Sequence, residues 1–477
     1  MARFLALDLG AESGRGVAGT LDEGGRLTLS ELHRFPTGPI RMGQSQHWDL
    51  PRFLVELRLA ISKARELGPL DGLGVDTWGV DFGLLGPSGE LVGLPVHYRD
   101  ARTNGWIERV FAKVPQAEIF ATTGIQTMPL NTLFQLAALT EQSPKLIDAA
   151  ERLLFMPDLL HYYLTGVAQT EYTIASTSQL LDARTRDWDR ALLEKLGLPS
   201  HLLQTPVPAG SSCGHFEGIP VSAPGGHDTA CAVAAVPASP GESWAYLSSG
   251  TWSLLGLEVP EPILTAEAAQ ANVTNEGGSG GSIRLLKNIG GLWLVQECRR
   301  HWARLGDERS YDKLTRLAED SPALAAVIDP DHPSLLAPAD MPQAIRQLCL
   351  ETGMAPPEGI GAMVRCCLDS LGLKYRSVLQ TLESLTGRKI DTLHIVGGGS
   401  QNRLLNQIAA DATGCTVIAG PVEATAIGNV LLQARSAGLI SSLADLRAIV
   451  RASFPLETYA PDPQMTARFV EAAEKFR

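Results

Sequence analysis

The sequence predicts an α/β protein with mixed sheets in two lobes. Two short β-like runs, Phe4-Leu5-Ala6-Leu7 and Trp244-Ala245-Tyr246-Leu247, each empty into a turn of small residues, Asp8 to Arg15 and Ser248 to Ser253. The two lie roughly half a chain apart. Strand-like and helix-like patterns alternate after each of them. Between the halves stands Val236-Pro237-Ala238-Ser239-Pro240-Gly241, whose prolines and glycine suit a crossover or hinge. The expected lobes are therefore 1–236 and 237–477.

The individual elements follow in chain order. Leu50 to Leu67 spaces apolar residues three and four apart behind Asp49 and Pro51, a cap and first-turn pair, and reads as a helix. Leu73 to Asp76 and Gly79 to Leu85 read as strands. Ala230 to Val236, small and apolar, suits a short buried helix. In the second half Met363 to Leu385 is a long helical pattern, Thr392 to Val396 a buried strand and Leu404 to Ala412 the next helix. Tyr459 to Arg477 reads as one final amphipathic helix.

Charge and composition narrow the function classes. The 477 residues carry 40 Lys and Arg against 52 Asp and Glu, a net charge of −12, so the basic footprint of a nucleic-acid binder is missing. No stretch offers the ~18 uncharged apolar residues of a membrane helix, and the apolar N-terminus is too short for a secretion signal. The expectation is a cytoplasmic protein with neither a nucleic-acid nor a membrane partner, as monomer or homodimer. Seven cysteines without a CxxC pair suggest reduced, buried thiols, although Cys349 and Cys366 have the potential to oxidise. The ten histidines lack HxxH and HxxxH spacing, which argues against a transition-metal site built by the protein.

Five segments have residues that suit chemistry, and each also has a plain structural reading. In Asp8 to Arg15, small residues let backbone N–H groups approach phosphate oxygens and Asp8 suits a hydrated Mg²⁺; a hairpin whose Asp satisfies turn amides explains the same pattern. Ser249-Gly250-Thr251 repeats the choice. Gly397-Gly398-Gly399 after an apolar strand either lets a flat ligand lie on bare backbone or simply makes a tight turn into a helix. It is not a GxGxxG fingerprint. Asp228, between Gly226 and a helix-like run, is placed to take a proton from a substrate hydroxyl, yet spacing alone favours a plain N-cap. Thr77-Trp78-Gly79-Val80-Asp81 suits a sugar-stacking wall or a core tryptophan, the commoner case. Asn131, Asn288 and Gln296 are polar residues in apolar surroundings, open to either ligand contact or capping.

Taken in order, these segments resemble the FGGY carbohydrate kinases, in particular the branch that acts on L-rhamnulose. The resemblance runs through Ala6-Leu7-Asp8-Leu9-Gly10 with Ser13-Gly14-Arg15, Gly74 to Phe82, Gly93 to Asp100, Thr123 to Gln126, His227-Asp228-Thr229-Ala230, Tyr246 to Leu254, Thr274 to Gly278, Leu286 to Ile289, His394 to Gly399 and Ala419 to Ala424. It covers about residues 4 to 460. It implies a two-lobed actin-like (ribonuclease H-like) ATPase fold with the active site in the interlobe cleft. By the same resemblance Ala11, Glu12, Ser13, Gly14 and Arg15 form the first phosphate loop and Thr251 the second, with Gln296 and Gly398 in the nucleotide pocket. Asp8 would hold Mg²⁺ through water. Gly79, His227, Asp228, Thr229 and Asn288 would line the sugar site, with Asp228 as the base. Glu12 departs from the family's small residue, and since a carboxylate repels phosphate it is expected to point outward. The implied reaction is ATP-dependent phosphorylation of L-rhamnulose at its C1 hydroxyl in rhamnose catabolism. L-Fuculose or another ketose, an actin-like ATPase and a sugar sensor are the competing readings.

Overall fold

Phe4 to Leu9 are buried without alternation, as expected of a central strand covered on both faces. The computed structural model describes residues 1–336 and 338–475, and in it this run is β1 (Ala2–Leu9). With β2 (Ser13–Leu21), β3 (Leu27–Pro36), β4 (Gly72–Thr77), β5 (Ser212–Phe216) and β6 (Ile219–Ser222) it forms a sheet in the order β5-β6-β4-β1-β2-β3. β1 pairs antiparallel with β2, opposing Asp8 to Arg15, and parallel with β4, opposing Asp8 to Asp76. Register thus sets two carboxylates side by side at the strand ends.

Helix α1 (Leu50–Glu66) forms as its pattern predicts, and the Asp49 side chain accepts from the Arg52 amide at 3.2 Å. Its stripe of Leu50, Phe53, Leu57, Ala60, Ile61 and Ala64 is buried in the same apolar cluster as Leu5, Leu7, Leu73 and Val75. Truncating a residue such as Leu57 to alanine there costs about 2–5 kcal/mol.

The chain packs as two compact units. The first comprises Met1–Pro237, Glu258–Leu285 and Ala424–Ser453; the second comprises Ala238–Leu257, Leu286–Glu423 and Phe454–Arg477. A single division at 236/237 is therefore simpler than the packing, because two later segments return to the first unit. One of them includes α2 (Ala424–Ser436), whose Gln433 amide donates to Leu5 O at 3.0 Å and whose Asn429 amide donates to Gly74 O at 3.2 Å. Gly428 is where this helix meets the backbone of Cys231: an added Cβ would lie 1.9 Å from the Cys231 carbonyl oxygen.

In the second unit, β7 (Trp244–Ser249) and β8 (Trp252–Val259) make an antiparallel hairpin with Ser249 opposite Ser253. Strands β9 (Ile283–Gly290), β10 (Thr392–Val396), β11 (Thr416–Ala419) and β12 (Glu457–Tyr459) extend the sheet in the order β9-β8-β7-β10-β11-β12, and the strand Thr274–Gly277 adds a seventh at the free edge of β9. The pairs β7–β10 and β10–β11 are parallel and β11–β12 antiparallel, so this sheet is mixed as predicted. Helices cover Gly359–Thr386 and Arg403–Thr413, close to the expected bounds.

Two expectations need correction. The run 79–85 is a strand only at Phe82–Leu85. Val80 sits in the left-handed region at φ 70°, and the Asp81 amide donates back to Gly79 O at 2.9 Å, so 79–81 is a turn. A β-branched residue is strained there, and its surroundings hold it: Val80 N donates to Thr177 Oγ1 at 3.1 Å and Val80 O accepts from Thr132 Oγ1 at 2.7 Å. The tail is a short strand, β12, followed by a helix over Pro463–Lys475, because Pro461 and Pro463 interrupt any single helix. Its last two residues, 476 and 477, lie outside the described ones.

All seven cysteines are buried and free. Cys349 lies beside Cys366 and Cys298 beside Cys367, and these neighbours together with burial push the Cys366 and Cys367 thiols well up.

Candidate active site

In the first unit the chemistry gathers at the ends of β1 and β4. The turn between β1 and β2 is closed by Gly10 N donating to Ser13 O at 3.0 Å, and Thr37 Oγ1 donates to Gly10 O at 2.5 Å. Asp8 is 2% exposed and accepts from Arg15 Nη2 at 2.5 Å. Ala11 and Ser13 are half-buried and Glu12 is exposed, as its expected outward direction requires. Gly14 serves packing: it lies in β2 against the Phe35 ring, which an added Cβ would approach to 2.3 Å.

Asp76, beside Asp8, is fully buried. Its Oδ2 accepts from the Asn429 amide at 2.5 Å and its Oδ1 has no hydrogen-bond partner among the described residues. Burial first, and then the charge of Asp8, push this carboxyl well above the ordinary range, while Asn429 pulls it back. Its signal in the sequence was a lone acid inside a buried strand. Its pairing with Asp8 was invisible, since parallel register depends on contacts some seventy residues apart.

The loop into the helix α3 (Asp228–Ala234) is fixed from two sides. Thr77 N donates to Gly226 O at 2.9 Å, and buried Glu171 accepts from Gly226 N at 2.9 Å. His227 takes the N-cap position and its own amide donates to Thr173 Oγ1 at 3.3 Å, so Asp228 is the first helical residue, not the cap. Asp228 Oδ1 accepts from Thr229 N at 2.6 Å and Thr229 Oγ1 at 3.2 Å, and stands 3.4 Å from His227 Nε2. Asp228 Oδ2 makes no hydrogen bond among the described residues, and the side chain is 28% exposed. Burial raises the Asp228 carboxyl, opposed by His227 and reinforced by Asp8. An oxygen that is accessible, unpartnered and more basic than an ordinary carboxylate is suited to accept a proton.

Gly79 follows β4 and lies against Thr177, near enough that an added Cβ would meet it at 3.2 Å. The neighbouring Trp78 is a core residue. It stacks on Trp48 with ring centroids 3.8 Å apart, and both indole N–H groups donate to Asp81 Oδ2, at 3.1 and 2.6 Å. Gln135 Nε2 donates to the other oxygen at 2.9 Å. Burial raises Asp81 to about 6 despite these three donations and one from the Tyr98 amide at 3.2 Å, and lowers neighbouring His97 to about 4. Asn131 is also accounted for within the fold, donating to Gln126 O at 2.7 Å and Gln179 Oε1 at 2.8 Å.

The second unit brings together Thr251, Gln296 and Gly398. The β7–β8 turn is docked on the start of the helix Trp293–Arg304: Leu292 N donates to Gly250 O and Trp293 N to Thr251 O, both at 3.1 Å. Gln296 lies one turn along that helix, and its Oε1 is buried without a hydrogen-bond partner. On the other flank Gly397, at φ 86°, and Gly399 press against Ser249, whose Oγ is likewise buried and unpartnered. Gly398 between them is bare: an added Cβ meets nothing within 4 Å. A flat open glycine beside unsatisfied polar atoms fits a nucleotide. Asn288, on β9, also belongs to this unit, whereas the other expected sugar contacts belong to the first.

For a cation, the donor set is hard oxygen, Asp8 with Asp76 beside it, which suits Mg²⁺ completed by water and phosphate oxygens. Among the described residues no group of three or more His, Cys, Asp or Glu could hold a metal alone.

Two family models match the chain. The model described as the FGGY family of carbohydrate kinases, N-terminal domain, matches residues 4–234, and that of the C-terminal domain matches 245–437. A rhamnulokinase of Bacteroides thetaiotaomicron is 46% identical over 472 residues, 96% of each chain. One from Klebsiella pneumoniae is 42% identical over 477 residues, 98% of this chain and 96% of that one. Ligand-bound xylulose kinase from Lactobacillus acidophilus superposes with TM-score 0.80 at 15% identity, covering 100% of this chain and 97% of that one. Plasmodium falciparum glycerol kinase with ADP gives 0.78 at 14%, with the same coverages of 100% and 97%. These likenesses identify the fold as the two-domain α/β arrangement of actin-like ATPases.

Proposed function

We propose a reaction for this chain, which belongs to the FGGY family of carbohydrate kinases: transfer of the γ-phosphoryl group of ATP to the C1 hydroxyl of L-rhamnulose. The sugar is inferred from the relatives named rhamnulokinase, which match nearly the whole chain. The observation that carries the chemistry is the raised Asp228 carboxylate, held through Oδ1 at the start of α3 with Oδ2 free of protein donors among the described residues.

Asp228 Oδ2 accepts the proton of the C1 hydroxyl as that oxygen attacks the γ-phosphorus in line. The new C1–O–P bond forms while the bond from the γ-phosphorus to the bridging oxygen breaks, and ADP leaves with that electron pair. Thr229, through N–H and Oγ1, fixes the carboxylate so that Oδ2 alone turns to the substrate. Gly79, His227, Thr229 and Asn288 are the sugar contacts in this reading. Residues 11–15 and Thr251 bind phosphates, and Gln296 and Gly398 receive the nucleoside. Asp8 and Asp76 would hold Mg²⁺, which when bound neutralises phosphate charge. The net charge of −12 supports the absence of nucleic-acid partners; a cytoplasmic location and a monomer or homodimer belong to the same reading, and no helix among the described residues is long and apolar enough to cross a membrane.

ADP release measured across L-rhamnulose, L-fuculose, L-ribulose, D-xylulose, glycerol and the aldose L-rhamnose tests the reaction. L-Rhamnulose should give the highest kcat/KM, and L-rhamnose, lacking a primary hydroxyl at C1, should be inert. Hydrogen-bonding groups left unpaired by the wrong sugar discriminate far more than the ~1–3 kcal/mol of a methyl pocket. A tenfold preference for another ketose overturns the sugar and leaves the kinase standing.

A further inference from the structure

Behind Asp228 lies a buried ionic cluster with no part in the reaction above. Arg284 is 0% exposed, Glu276 6% and the His227 side chain 9%. The two outer residues come from the strands Thr274–Gly277 and β9, whose relevant segments belong to the first unit. Arg284 Nε is anchored on Gly277 O at 2.8 Å, and Nη2 reaches both Glu276 Oε2 and His227 Nδ1, each at 3.1 Å. Glu276 Oε2 also stands 3.2 Å from Nδ1, so this ring nitrogen faces both a guanidinium donor and a carboxylate acceptor. Burial opposes ionisation of Glu276 and the Arg284 charge overrides it, so the pair is Arg⁺ with carboxylate.

A guanidinium only donates, so when Nδ1 receives the Arg284 bond it is a bare acceptor and the ring proton sits on Nε2; when Nδ1 donates to Glu276 instead, the proton sits on Nδ1. Nε2 faces Asp228 Oδ1 at 3.4 Å, the oxygen already bound by Thr229. As a stability device the cluster is poor: Arg284 Nη1 is buried without a partner, and buried ion pairs are often no better than apolar residues. Its geometry is directed at His227 instead.

We infer that Arg284, kept in place by Glu276, is a positioning residue that holds His227 in its Nε2–H form, and that the positive end of this N–H, 3.4 Å from Asp228 Oδ1, attracts that oxygen so that Oδ2 faces the sugar. The inference rests on Asp228 as proton acceptor. The Glu276 carboxylate is the competing partner for Nδ1, so weakening the Arg284 donation should move the ring proton to Nδ1 and release Asp228.

The test is ¹⁵N–¹H correlation spectroscopy of the full-length, ¹⁵N-histidine-labelled protein, with the His227 signals assigned by their loss in His227→Gln. The native protein should show Nε2 protonated and Nδ1 bare. Arg284→Lys should shift the proton to Nδ1 and lower kcat by about 10²-fold, the effect of a misplaced catalytic group. Adding Glu276→Gln to Arg284→Lys removes the competing carboxylate and should recover part of kcat together with the Nε2–H signal. A purely structural pair would instead lose more in the double variant, with no change in ring proton. A native Nδ1–H signal, or an unmoved proton in Arg284→Lys, overturns the inference; should Arg284→Lys not fold, the native spectrum alone decides. Near-normal turnover in Asp228→Asn would remove the base assignment, and the His227 spectra report separately from it.

Discussion

Asp228 and Asp81 show how one residue type takes different work from its surroundings. Asp228 keeps an oxygen free of protein donors, so Asp228→Asn should leave folding and sugar binding nearly intact and lower phosphoryl transfer by roughly 10²–10⁴-fold. Single-turnover kinetics beside a sugar titration checks this, and near-normal turnover would leave the residue a structural member of α3. Asp81 has both oxygens engaged and lies deep in the core. Its folded pKa of about 6 exceeds the unfolded value of about 3.9, so between those pH values the folded state holds a proton that the unfolded state has lost. Stability should therefore fall as pH rises through that window, by roughly 3 kcal/mol for the full shift of about two units. Asp81→Asn should flatten the slope of the urea midpoint between pH 4.5 and 6.5. An unchanged slope would assign the dependence to other groups.

The turn joining β10 to the helix Arg403–Thr413 permits a test at the scale of an element. Three consecutive glycines are chemically alike, but their surroundings separate them. Gly398→Val places its side chain in open space and should weaken nucleotide binding while ketose affinity and unfolding midpoint stay near native, which paired titrations measure. Gly399→Ala would bring Cβ to 2.0 Å from Ser249 Oγ and should destabilise the fold by about 1–3 kcal/mol. Equal loss of both ligands in Gly398→Val would indicate a folding defect and dissociate the turn from the nucleotide. The sequence announced the turn through its glycines; it had no means of saying which faces ligand and which faces Ser249.

At the scale of the whole molecule, the first unit depends on segments far along the chain. Asn429 and Gln433 satisfy buried groups on β1 and β4. Residues 1–236 alone would expose that face, so this fragment should lack a cooperative thermal transition, and calorimetry against the full chain checks it. Local chemistry made much of the protein legible beforehand: helix α1 from its period and cap, both hairpins from their small-residue turns and the glycine turn, while Asp8 and Asp228 stood out as candidates through motifs that resemble a family. What the sequence by itself determined is what depends on neighbours a few residues away, namely elements, turns and the residue types available for phosphate and proton chemistry. Only the tertiary structure decided that Asp76 stands beside Asp8, that Val80 is forced into a strained turn by Thr132 and Thr177, and that Glu276 and Arg284 lie behind His227. Those relations depend on strand register and on the return of distant segments, where burial and hydrogen bonding across hundreds of residues outweigh local preference.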